Sequence, residues 1–175
     1  TGADLVVPLA RAAALTRVPI FLFGTTADAL DSAADRLMDE APGIRIAGLQ
    51  SPPLGFDPFG VEARKAVAEI EASGASICFV ALGAPKQELF ANAAVCRSSG
   101  VVYVCVGAAL DFLAGTQVRA PLMMRDLGME WVWRLAWNPR RMFSRYVRSA
   151  LYLVRHIVST SLGEAKDEPP GRAPR

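Results

Sequence analysis

A chain of 175 residues is long enough to bury one sizeable core, and one domain is the expectation for that length. Its net charge of +2 is unremarkable, and no nucleic-acid partner is expected. A hydrophobic fraction of 52% is high enough that a membrane span must be tested, but no run of about 18 uncharged apolar residues occurs, which argues against a spanning helix.

The start, Thr1-Gly2-Ala3-Asp4, has neither the basic region nor the apolar core of a signal peptide, and it lacks an initiator Met. The expectation is therefore a cytoplasmic protein and a chain that is a piece of a longer one. Residues 4–15 read as a helix, 19–23 as a strand and 24–26 as a turn. Residues 27–41 read as a helix with Leu30, Ala34 and Leu37 on one face, capped by Thr26 or Asp28 and ended by Pro42-Gly43. Residues 44–49 form a second predicted strand, and 50–60, with its prolines and Gly55-Phe56, a loop of the length that lines sites. A helix over 61–72 and a strand over 75–82 follow; residues 77–82 are apolar throughout, as a central parallel strand requires.

That strand runs into Gly83-Ala84-Pro85-Lys86-Gln87-Glu88 and a helix predicted over 88–98. Lys86, Gln87 and Glu88 thus fall at the carboxyl end of a strand and the start of a helix, where unpaired N–H groups and a partial positive charge suit a phosphate-bearing ligand. A last strand, 101–106, leads into Gly107-Ala108-Ala109-Leu110-Asp111-Phe112-Leu113-Ala114-Gly115 and Arg119-Ala120-Pro121. Small residues there let a ligand approach the backbone, and Asp111 offers a carboxylate to ribose hydroxyls or a base N–H. The plainer alternative is a packed turn with Asp111 capping a helix. Gly24-Thr25-Thr26 fits neither the dinucleotide fingerprint nor the P-loop. The repeated strand–helix order predicts an α/β fold, a Rossmann-like parallel sheet with flanking helices, whose strand ends bring Gly24, Gln50, Gly83 to Gln87 and Gly107 to Asp111 to one rim.

Cys78, Cys96 and Cys105 form no close pair and read as buried, reduced thiols, with no disulfide framework. His156, the only histidine, rules out a multi-histidine or Cys/His metal site and reads as a surface or interface residue near a helix end. Beyond residue 130 the charge becomes one-sided: Arg134, Arg140, Arg141, Arg145, Arg148 and Arg155 occur without an acidic residue among them. Arg134, Arg141, Arg145, Arg148 and Arg155 fall near one helical stripe. Leu135, Met142, Phe143, Tyr146, Val147, Ala150, Leu151 and Val154 lie opposite, with Trp131, Trp133 and Trp137 near the start and Pro139 dividing the segment. A basic amphipathic helix suits an anionic membrane surface; a core-packing or oligomer-forming helix is the alternative.

Taken in order, Phe21-Leu22-Phe23-Gly24, Gly83 to Glu88, Gly107 to Gly115, Arg119-Ala120-Pro121, Leu127-Gly128-Met129-Glu130-Trp131, Arg134-Leu135 and Pro139-Arg140-Arg141 resemble the bacterial WecG/TagA/CpsF glycosyltransferases, family 26. The resemblance runs from about residue 1 to about residue 151. It implies an inverting, metal-independent transfer of N-acetylmannosamine, its uronic acid or glucose from a UDP-sugar to a polyprenyl-pyrophosphate-linked glycan, at the inner face of the membrane, in capsular, exopolysaccharide or teichoic acid synthesis. No cofactor is implied, and self-association is an analogy with the family. Gln87 is similar to the glutamine beside the donor sugar, and Asp111 to the carboxylate near the uridine. Gly24, Gly83, Pro85, Lys86, Glu88 and Gly107 would line the donor. Arg134, Arg141 and Arg145 look like the arginines that close over the diphosphate. The general base implied by the resemblance is an Asp in a segment preceding the positions matched by Thr1 to Asp4, and no residue here inherits its role. A strand would be missing with it, exposing a sheet edge.

The expected organisation is a UDP-sugar-binding domain over 1–130, a basic amphipathic helical appendage over 131–160 and a disordered tail over 161–175. Two other readings remain open: a non-catalytic nucleotide-binding or membrane-associated remnant, and a nicotinamide-dependent oxidoreductase, which lacks the glycine fingerprint.

Overall fold

Unbroken apolar character over residues 20–23 and 77–82 marks strands covered on both faces, and in the structure these two stretches lie side by side at the centre of a parallel sheet. The structure is a computed structural model that describes residues 2–97 and 100–121 and the separate positions 123, 124, 129, 132 and 133. The chain divides after Arg119 into two units, and every element below belongs to the first. In chain order these are α1 (Gly2–Thr16), β1 (Ile20–Gly24), α2 (Ala27–Glu40), β2 (Ile46–Gln50), α3 (Val61–Ala72), β3 (Ile77–Ala81), α4 (Lys86–Val95), β4 (Val102–Cys105) and α5 (Ala109–Leu113). The sheet order is β2-β1-β3-β4, and every neighbouring pair is parallel. The fold is therefore the Rossmann-like α/β arrangement that the strand–helix alternation predicts.

Side chains alternate across the sheet with period two. Ile20, Leu22, Phe79 and Ala81 face a layer built from Val6, Ala10 and Ala13 of α1, Leu30, Ala33 and Leu37 of α2, and Leu110 of α5. Phe21, Phe23, Cys78 and Val80 face Ala63, Ala66, Val67 and Ile70 of α3 and Phe90 and Ala94 of α4. All of β1 is buried, whereas the outer strands β2 and β4 are mostly half-buried.

Three local details bear on the site. Thr26, not Asp28, caps α2, its Oγ accepting from the Ala29 N–H at 3.3 Å. Helix α4 begins at Lys86, two residues before the predicted start, because Pro85 occupies the N-cap position and the polar Lys86-Gln87 pair carries no apolar periodicity to betray a helix. Asp111 caps nothing: Ala108 is the N-cap of α5, and Asp111 lies within that helix. Among the described residues no helix is long and apolar enough to cross a membrane. Arg134 to Arg155, Trp131, Trp137, Pro139, His156 and the tail lie outside the described residues.

The loop after β2 is secured by an aromatic cluster. Phe23 stacks on Phe90 with centroids 4.6 Å apart, and Phe56 meets their edges at 5.6 and 5.8 Å. Tyr103 of β4 meets Phe90 edge-on at 6.0 Å. Phe90 is thus the contact shared by β1, β4, α4 and the loop, and it is fully buried. Phe90→Ala should cost about 3–5 kcal/mol, the usual range for removing a buried phenyl ring. Urea unfolding followed by circular dichroism would measure it, and a loss under 1 kcal/mol would contradict this role.

Candidate functional site

The sheet order sets where a site can form. The chain leaves β1 through α2 to reach β2 on one side, and leaves β3 through α4 to reach β4 on the other. Between the carboxyl ends of β1 and β3 the connections diverge, which opens the crevice where open α/β sheets bind ligands. At that point β1 and β3 run very close. A Cβ placed on Gly24, whose φ is +127°, would lie 2.4 Å from the Ala81 carbonyl oxygen, so no other residue fits without moving the backbone.

Thr25 follows directly, its N–H donating to the Ala81 carbonyl at 3.0 Å. Its hydroxyl donates to Oδ1 of Asp111, and its carbonyl accepts from the Ser51 hydroxyl at 2.6 Å. The other carboxylate oxygen of Asp111 accepts from Nε2 of Gln117 at 3.0 Å. The carboxylate is half-buried and held at both oxygens by neutral donors from two segments of the chain.

A second cluster forms on the β3 side. Gly83 takes φ +74° with open space where a Cβ would stand, so the turn asks for backbone freedom rather than room. Its carbonyl accepts from the Gln87 N–H at 3.1 Å. The Ala84–Pro85 peptide is cis. Pro85, Lys86 and Glu88 are exposed, while Gln87 retains only 7% exposure. The Gln87 side chain is engaged at both ends within the protein: Oε1 accepts from the Gly107 N–H at 3.0 Å, and Nε2 donates one of its two hydrogens to Oε1 of Glu88 at 2.8 Å. It straps the first turn of α4 to the turn after β4.

The predicted residues therefore gather in two linked groups, Gln87 with Glu88 and Gly107, and Gly24–Thr25 with Asp111. The turn from Gly107 to Asp111 joins them. Arg134, Arg141 and Arg145 lie outside the described residues. Gln50 reaches the rim but bonds through Nε2 to Glu69 of α3. A cavity of about 280 Å³ lies beside the rim between Pro53, Phe56, Gly60 and Glu62, and no predicted site residue lines it. Geometry at the switch point is the better guide to the site, because that is where the chemically capable groups converge.

Sequence reasoning missed Thr25, Ser51 and Gln117. Each is a common polar residue in a turn, and nothing in its local pattern signals the partner it meets. Among the described residues no group of three His, Cys, Asp or Glu side chains is placed to hold a metal ion. The cysteines are all free, but Cys96 is exposed, not buried as expected, because α4 ends at Val95 and leaves it on the surface. Burial raises the Cys78 thiol far above its usual pKa, with Cys105 adding to the shift. Burial, and then the Glu88 carboxylate, raise that of Cys105.

The fold places the chain among the open parallel α/β proteins that bind ligands outside the carboxyl ends of their strands. Within that class its membership is specific: the chain belongs to the glycosyl transferase WecG/TagA/CpsF family, whose sequence profile it matches over residues 1–167. Membership implies a glycosyltransferase of cell-surface polysaccharide synthesis, acting on a nucleotide-sugar donor and a glycan acceptor.

Thiol labelling followed by peptide mass spectrometry should report the packing around Glu88. In the native protein at neutral pH, Cys96 should label fast, Cys105 slowly and Cys78 only on unfolding, because the thiolate is the reactive form and access is required. Glu88→Gln should speed Cys105, since it removes a negative charge that disfavours its thiolate. Equal rates at Cys96 and Cys105 would contradict the arrangement.

Proposed function

We propose that this chain uses a UDP-sugar as donor and a polyprenyl-pyrophosphate-linked glycan as acceptor, transferring N-acetylmannosamine, its uronic acid or glucose with inversion and without a metal ion. The observation that carries the reading is the Asp111 carboxylate fixed at the switch point beside the end of β1. A carboxylate is an acceptor only, so it selects the donors of a nucleoside, the ribose hydroxyls or the uracil N–H, over a surface without them. The exposed first turn of α4, carrying Lys86 beside Glu88, suits the diphosphate that follows the nucleoside.

In the transfer, an acceptor hydroxyl oxygen forms its bond to the anomeric carbon from the face opposite the leaving group. The bond from that carbon to the diphosphate oxygen breaks, UDP departs with the electron pair, and the hydroxyl proton passes to water, since no residue of this chain is assigned as base. The charge developing on UDP is met by Arg134, Arg141 and Arg145, whose planar guanidinium groups bind phosphate oxygens in pairs. Gln87 acts in this reading through its strap to Gly107, which sets the turn leading to Asp111, and through the amide hydrogen that it still has to offer the donor. The basic stripe over 140–158 holds the protein against the anionic inner face of the membrane, where the lipid-linked acceptor resides.

Calorimetric titration with UDP, with EDTA present and NAD as comparison ligand, tests the donor reading. Saturable binding of UDP alone is expected, and Asp111→Ala should weaken it about 10- to 100-fold, the equivalent of one hydrogen bond to a charged group. NAD binding tighter than UDP would overturn it.

Sedimentation with phosphatidylglycerol vesicles tests the membrane claim separately. Replacing Arg148 and Arg155 with Gln should weaken binding by about 1 kcal/mol for each charge. Unchanged sedimentation would favour a packing or oligomer-forming role for the stripe.

A further inference from the structure

Among the described residues, Thr25 is the one β-branched residue in the left-handed region of backbone space, at φ +37°. Side chains branched at Cβ crowd the backbone there, and such a conformation in a bulky residue is a genuine outlier. A turn that needed only this backbone would be met at lower cost by glycine. What threonine adds is a hydroxyl, and that hydroxyl is committed to Oδ1 of Asp111. Every backbone polar group of Thr25 is committed as well, its N–H to Ala81 at the end of β3 and its carbonyl to Ser51 after β2. One strained residue therefore ties the ends of β1, β2 and β3 to the carboxylate on α5.

We propose that Thr25 is a positioning residue for the donor nucleotide, acting through Asp111. The inference rests on the donor-site reading above. Asp111 is reached by two neutral donors, Thr25 at one oxygen and Gln117 at the other. Each oxygen keeps a second lone pair for a ligand, and the two bonds fix the plane in which those lone pairs point. Gln117 is a long side chain in the loop after α5, whereas Thr25 is anchored on the central strand. Of the two donors, Thr25 is the one that references the carboxylate to the sheet. The bond keeps the carboxylate in the binding orientation before ligand arrives, so the ordering cost is met in folding rather than in binding.

The test is a calorimetric titration with UDP on the full chain, comparing Thr25→Val, Thr25→Gly, Thr25→Ser, Asp111→Ala and the Thr25→Val/Asp111→Ala double variant. Valine keeps the shape and loses the hydroxyl; glycine loses the hydroxyl but takes this φ without strain, so the fold survives even where valine disturbs it. Serine keeps the hydroxyl. The expected result is a loss of about tenfold in UDP affinity for both Val and Gly, near wild-type affinity for Ser, and a double variant no weaker than Asp111→Ala alone. Wild-type affinity in Val and Gly alongside weakened Asp111→Ala would overturn the inference and leave the donor site standing. A Ser variant as weak as Val, or additive losses in the double variant, would overturn it too. If wild type fails to bind UDP, or Asp111→Ala binds as wild type does, the donor-site reading itself falls and takes the inference with it.

Discussion

The closeness of β1 to β3 at Gly24 is the constraint on which the rest of the site depends. With the Ala81 carbonyl 2.4 Å from where a Cβ would stand, the two strands meet with nothing between them, and the ladder runs unbroken from Ile20 opposite Ile77 to Gly24 opposite Ala81. That pairing makes β1 and β3 the central strands. Because α2 and α4 then leave toward opposite edges, the crevice opens at this pair and at no other in the described sheet. Thr25, the first residue beyond β1, and Gly83, the second beyond β3, become its floor. The bulky neighbours on β1 serve the same end: Leu22 fills one layer and Phe23 the other, so the strand that carries the turn cannot shift without disturbing both cores.

What stands on that floor is held by internal hydrogen bonds. A buried amide left unpaired costs about 1–3 kcal/mol, and Gln87 avoids this with the Gly107 N–H and the Glu88 carboxylate. The bond also has a geometric effect. It joins α4, which follows β3, to the turn that follows β4, so the positions of the two connections are fixed to each other. The Asp111 network does the equivalent across β1, the segment after β2, and α5. Polar groups at the rim are thereby ordered by packing and second contacts, the condition for selective binding by a few polar atoms. Glu88 shows the reach of such an arrangement, since one carboxylate takes the Gln87 amide and also raises the thiol pKa of Cys105.

Most of this architecture was legible because its signals are local. Strands covered on both faces write themselves as apolar runs, as residues 77–82 do, and the amphipathic pattern of Leu30, Ala34 and Leu37 marks α2. The helix over 61–72 was predicted with the bounds it has. Boundaries drifted where the chain departs from periodicity: α4 starts on polar residues behind a proline, and β2 runs from Ile46 to Gln50 rather than over 44–49. Asp111 and Gln87 were legible as chemistry-bearing residues near glycine turns. Their actual partners were not. The bonds from Thr25 to Asp111 and from Gly107 to Gln87 span 86 and 20 residues of sequence, and no local pattern encodes contacts made only when the sheet has assembled. The exposure of Cys96 was hidden for the same reason, because it depends on where α4 stops.

The rim owes its order to different forces on its two sides. On the α3–α4 side the loop after β2 is pinned by Phe56 among Phe23 and Phe90, an apolar anchor insensitive to salt and pH. On the α1–α5 side the segment after α5 is tied by Arg119 to Asp4 at 2.7 Å, an ion pair that is partly buried on the arginine side. Asp111 belongs to this second side, where Thr25 links its carboxylate to the end of β1. Both walls are thus anchored in a core layer, one through Phe23, Phe56 and Phe90 and the other through Leu110 of α5. The burial of Leu110 fixes where α5 runs, and the bond from Thr25 fixes how the neighbouring carboxylate of Asp111 is turned at the rim.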